Sequence, residues 1–137
     1  MQPRTHASLT ELVGTVVGTS AVAFAAVWLL WFVAGLFGIP AQGVTPSGTV
    51  VNFTWQVLLV MSAGLSAASA GVVRLCLWLN LSRLFFLMMG VGVGLAASVF
   101  ALLRPAEIDI APRLVQVGSY YILYLALIPV MARTLPS

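Results

Sequence analysis

Three stretches of this chain carry residue types at spacings that chemistry uses. Gly92-Val-Gly94-Leu-Ala-Ala97 fits the Gly-x-Gly-x-x-Ala form of the dinucleotide fingerprint. In that motif the glycines let a turn approach a pyrophosphate at the start of a helix. Glu11 is an acid at the edge of a long apolar run, and a carboxylate within a membrane span is a functional group by default. Glu107 and Asp109 lie close together between Arg104 and Arg113, where carboxylates either hold a cation or pair with the arginines.

Each has a plainer role. The fingerprint needs a strand before it and a water-exposed phosphate site. Here the glycines follow Leu84-Phe-Phe-Leu-Met-Met and precede Phe100-Ala-Leu-Leu, so a phosphate at that depth would sit in hydrocarbon. The same letters read as Gly90-x3-Gly94-x3-Ser98, a small residue every fourth position on one helical face. Ser8-Leu-Thr-Glu11 fits a capping box, which places Glu11 in a first helical turn, reaching back to a backbone N–H. Glu107 and Asp109 are expected to pair with Arg104 and Arg113 or to cap the following helix.

The remaining reactive residues are few. His6 is the only histidine, and one tail imidazole cannot give bis-histidine haem ligation. No serine has a buried His or Lys beside it to act as a base, and the ligands for a metal cage are missing. Cys76 is the only cysteine, which rules out an internal disulfide and suits a small apolar filler. The expectation is a protein without catalytic residues, cofactor or metal.

Composition names the solvent. Hydrophobic residues make up 61% of the 137-residue chain and charged residues 7%, against roughly 25% charged in soluble domains. No charge occurs between Glu11 and Arg74. Four apolar runs stand near the length of about 20 residues that a membrane span needs: 12–37, 50–73, 84–103 and 114–132. The first exceeds the apolar core of a secretory signal peptide and is read as a retained span. One domain of four spans fills the chain.

The breaks carry turn chemistry. Residues 38–48 are rich in Gly and Pro, and Thr45-Pro46 suits an N-cap followed by a first-turn proline. Arg104-Pro105 stops the third helix. The connection from Arg74 to Arg83 stays apolar, which predicts a tight turn at the membrane interface or an overlong helix ending there. Pro129 is expected to free the Leu125 carbonyl and bend the end of the fourth helix.

All six basic residues are arginines, scattered singly; no basic stripe points to nucleic acid. Arg4, Arg74, Arg83 and Arg133 fall on one side of a four-span topology, Arg104 and Arg113 on the other. The positive-inside bias therefore puts both termini in the cytoplasm. Trp28, Trp31, Trp55, Trp78 and the three tyrosines of the fourth run are placed as interfacial aromatics.

The small-residue pattern recurs. Span one has Gly14-x3-Gly18; span two has Ala63-x3-Ala67-x3-Gly71, with Gly64-x3-Ala68 beside it. Such faces let helices approach closely in lipid, as packing surfaces within the bundle or toward a partner. Asn52, Thr54, Gln56, Ser62, Ser66, Ser69 and Gln116 are expected to hydrogen-bond between helices, or to line a polar passage.

Two resemblances add to this reading. Glu11-Leu-Val-Gly-Thr is similar to the first-helix stretch of small multidrug-resistance transporters, four-helix proteins whose first-span glutamate binds protons or cationic drug. Over those five residues it implies a coupling role for Glu11. In layout the chain resembles small four-span actinobacterial membrane proteins of unknown function. The shared features are arginines in the turn after span two and an ending like Leu127-Ile-Pro129-Val-Met-Ala-Arg133.

The sequence thus predicts an all-α integral membrane protein, a four-helix bundle with both termini cytoplasmic, in a bacterial plasma membrane. Its expected partners are the bilayer and another integral membrane protein or a copy of itself. The expected role is an accessory or structural subunit; the alternative is a small oligomeric transporter or pore using Glu11.

Overall fold

A computed structural model describes residues 9–45, 47–105 and 107–135. Four helices follow one another: α1 (Leu9–Leu36), α2 (Trp55–Trp78), α3 (Arg83–Leu103) and α4 (Ile110–Ala132). All four are long and apolar enough to cross a membrane. Between α1 and α2 lies a two-stranded antiparallel hairpin, β1 (Gln42–Val44) and β2 (Val50–Asn52), with Gly43 opposite Val51.

That hairpin corrects two expectations. Val50–Asn52 pair as a strand, so α2 begins five residues later than the hydropathy run. Its N-cap is Thr54, whose hydroxyl accepts from the Val57 N–H at 3.3 Å. Thr45 instead closes the hairpin loop, accepting the Thr49 N–H on its side chain at 3.1 Å. Pro46 falls outside the described residues, as do Arg4, His6 and Ser8, the capping-box partner of Glu11.

The helix ends are finished in two ways. α1 and α2 end in Schellman turns. The Ile39 N–H bonds the Ala34 carbonyl and Gly38 stands at φ +79; the Leu81 N–H bonds the Cys76 carbonyl and Asn80 stands at φ +58. The second turn gives the overlong α2 ending at Trp78, and Ser82 caps α3 by accepting the Phe85 N–H at 3.2 Å.

The ends of α3 and α4 are capped by arginines from each other. Arg113 of α4 donates to the carbonyls of Leu102 (3.1 Å) and Arg104 (2.7 Å) at the end of α3. Arg83 of α3 donates to the carbonyls of Ala132 (2.9 Å), the last residue of α4, and Leu135 (3.0 Å) beyond it. A guanidinium at a helix C-terminus satisfies orphan carbonyls and meets the negative end of the dipole. Glu107 and Asp109 are expected to pair with Arg104 and Arg113 or to cap α4; these two bonds give Arg113 a backbone role as well. Asp109 is the N-cap of α4 but makes no side-chain capping bond. Pro129 lies inside α4, which continues to Ala132.

α4 is the hub, packing on all three other helices, whereas α2 and α3 barely touch beyond their shared turn. Two apolar clusters result. Ala23, Val27, Trp31, Phe53, Leu58 and Leu123 pack toward the hairpin end. Leu12, Val73, Cys76, Phe86 and Met131 pack toward the opposite end. Between them a polar layer joins α1 to α2, where the Thr19 and Ser66 hydroxyls meet at 3.4 Å.

Candidate functional site

Gly90 through Ser98 lie in unbroken helix, so the fingerprint letters form no strand–turn–helix. The three glycine positions differ in surroundings. A Cβ on Gly90 would meet Tyr124 Cε2 at 3.0 Å and Ile128 Cγ2 at 3.3 Å; on Gly92 or Gly94 it would meet nothing within 4 Å. Ser98 donates back to the Gly94 carbonyl at 2.8 Å. Gly90 is therefore the residue of this set that admits α4 closely.

This separation makes a direct prediction. Tyr124 is tied by its hydroxyl to the Leu87 carbonyl at 3.2 Å, so its ring cannot swing away freely. Gly90→Val is expected to cost about 1–3 kcal/mol through overpacking. Gly94→Ala is expected to be neutral or to stabilise by up to about 1 kcal/mol, since glycine is a poor interior helix residue. Thermal melts in detergent should rank Gly94→Ala at or above wild type and Gly90→Val well below. Equal responses would refute the assignment.

The other small-residue faces point away from the bundle. Gly14 and Gly18 on α1, and Ala63, Ala67 and Gly71 on α2, are all exposed. No described atom of another element comes within 4 Å of a Cβ added at Gly14, Gly18, Gly64 or Gly71. The residues α2 buries are instead Leu58, Ser62, Ser66, Ser69, Val73 and Cys76. The hydroxyl stripe faces in, and the smooth stripe faces out.

The other polar candidates divide. Ser66 joins Thr19 across the helix pair, whereas the buried Ser62 hydroxyl has no partner among the described residues. Asn52 sits on β2, where Gln42 approaches it at 3.5 Å, and Gln56 is exposed. Glu11 lies half-buried in the first turn of α1, and the Thr15 hydroxyl donates to its backbone carbonyl at 2.8 Å.

Gln116 does something the sequence did not indicate. It is 2% exposed and binds the hairpin, not another helix. Its Oε1 accepts from the Val44 N–H at 2.9 Å, and its Nε2 donates to the Val44 carbonyl at 2.9 Å and to the Tyr120 hydroxyl at 2.6 Å. The amide thus completes the outer edge of β1 as a neighbouring strand would. Phe53, at the foot of β2, packs on Trp31 with ring centroids 5.0 Å apart. Trp31 is consequently packed inside the bundle and does not face outward. Trp28 stays on the surface, stacked on Phe32 at 5.3 Å.

The separation of α2 from α3 leaves a cleft floored by α4, with a volume of about 460 Å³. Leu65 and Ala68 of α2, Met89 and Val93 of α3, and Leu123 and Tyr124 of α4 give it an almost wholly apolar wall. Among the described residues no group of His, Cys, Asp and Glu is placed to hold a metal ion. No protein-family model, curated protein or solved structure matches the chain.

Proposed function

We infer that this chain is a small, non-catalytic integral membrane protein of a bacterial plasma membrane, with both termini cytoplasmic, that serves as an accessory subunit of a larger membrane assembly. The observation that carries this reading is the outward direction of the small-residue faces. Gly14 and Gly18 on α1 and Ala63, Ala67 and Gly71 on α2 are exposed, although the bundle has packed its helices without them. In lipid, helix association relies on close backbone approach and van der Waals contact, and these faces offer that contact to a second protein. The bacterial and topological parts rest on the arginine distribution and on the resemblance in layout.

Purifying the tagged protein from its native membrane in mild detergent, then identifying what accompanies it, tests the proposal. A stoichiometric companion is expected. Gly18→Leu and Ala67→Leu should each release it while leaving the melting temperature near wild type, because both positions are exposed. A homo-oligomer with no companion would overturn the accessory role and direct attention to transport through Glu11.

A further inference from the structure

The cleft between α2 and α3 has a length and a charged end that together specify an occupant. Along α3 its wall runs from Phe86 to Ala97, about 16 Å at 1.5 Å per residue. That is close to half of the roughly 30 Å hydrocarbon core, the depth reached by the acyl chains of one leaflet. The wall carries almost no polar surface, so a chain without polar atoms suits it and water does not.

The charges gather at one end. Phe86 lies less than one turn from Arg83, and Ile128 lies between one and two turns from Arg133, so along the helix axes both arginines come after the same end of the cleft. Arg83 is held at the α3–α4 seam by its Nε and Nη2 bonds to Ala132 and Leu135; those bonds leave its Nη1 hydrogens for another acceptor. Arg133 is exposed at the C-cap of α4. The one carboxylate at this end of the described chain is Glu11, on α1, the helix that takes no part in the cleft wall. Glu107 and Asp109 are at the opposite end.

We propose that the cleft binds one anionic phospholipid of the arginine-marked leaflet, with an acyl chain lying between α2 and α3 and the phosphate at Arg83 and Arg133. Basic groups at the mouth of a space between membrane helices are a known arrangement for anionic headgroups. The proposal rests on the membrane-spanning reading above, and the test separates the two.

Full-length protein would be purified in mild detergent with equal amounts of phosphatidylglycerol and phosphatidylcholine of identical acyl chains, then examined by native mass spectrometry. One phosphatidylglycerol per chain is expected, favoured over phosphatidylcholine by about tenfold or more, since each arginine near an anionic group contributes about fivefold. Arg133→Gln should reduce that preference about fivefold. Gly94→Phe should fill the cleft and abolish retention with melting unchanged, because a Cβ at Gly94 enters open space. Equal retention of the two lipids, full retention by Gly94→Phe, or a second copy of the chain cross-linking into the cleft would each overturn the lipid site. An alkaline wash that strips the protein from membranes would instead overturn the membrane reading beneath it.

Discussion

Gln116→Leu is expected to destabilise the protein by about 3 kcal/mol and to release the hairpin from α4. The substitution keeps the side-chain volume and removes both bonds to Val44. Val44 is 2% exposed, so its N–H and C=O lose their partners inside the fold. Each unsatisfied buried backbone group costs about 1–3 kcal/mol. The loss has a ceiling. Once it exceeds the apolar burial that docks the hairpin, mainly Val44 and Phe53 at about 1.5–3 kcal/mol each, the hairpin lifts and its backbone is hydrated instead. Hydrogen exchange should show this as lost protection at the Val44 amide, while the helices keep theirs. Gln116→Glu supplies the control. An ionised carboxylate still accepts from the Val44 N–H but faces the Val44 carbonyl with a lone pair. That oxygen cannot replace the Nε2 donor, so Gln116→Glu should also melt below wild type. A Gln116→Leu protein that melts with wild type and retains Val44 protection would remove the clamp from the account.

The clamp also shows where the sequence was legible and where it was not. Helix number and rough length were legible in the apolar runs: four runs gave four helices long and apolar enough to cross a membrane. Stops with local chemistry were also legible: Arg104 before Pro105 ends α3 in extended backbone. Facing directions were not. In water, apolar residues go inside. In a bilayer the surroundings are as apolar as leucine, and hydropathy no longer distinguishes core from surface. A polar contact marks the inward face at one position, where Ser66 meets Thr19 of α1. Ser62, Ser66 and Ser69 form the buried stripe of α2, and Ala63, Ala67 and Gly71 are left outside. The capping roles of Arg83 and Arg113 were hidden for a related reason: each acts on carbonyls of the neighbouring helix, a contact that chain spacing does not encode. The hairpin left only a faint trace, Val44 and Val50-Val51 either side of Thr-Pro-Ser-Gly, inside a stretch that also reads as loop followed by helix.

Gly43→Ala should fail almost as severely as Gln116→Leu, by the same route. Gly43 is not needed for its backbone angles, since the positive-φ glycines are Gly38 and Gly48. It is needed for space. A methyl group there would overlap the edge of the Phe53 ring and lie 2.7 Å from Gln116 Oε1. Neither neighbour can yield cheaply, because Phe53 is seated on Trp31 and Gln116 is held by three hydrogen bonds. Overpacking of this kind costs about 1–3 kcal/mol, and displacing Gln116 adds the loss of its bonds to Val44. Both substitutions therefore undo one docking event, which can be undone only once. The double variant should be less destabilised than the sum of the single ones, by at least about 1 kcal/mol, within the range found for residues that share a network. Additivity to within about 0.5 kcal/mol, the behaviour of independent sites, would mean that Gly43 and Gln116 act separately and that the hairpin is not held as a unit. A measured coupling would establish the strand-like amide of Gln116, the gap at Gly43 and the Phe53–Trp31 contact as parts of one closure over the end of the bundle.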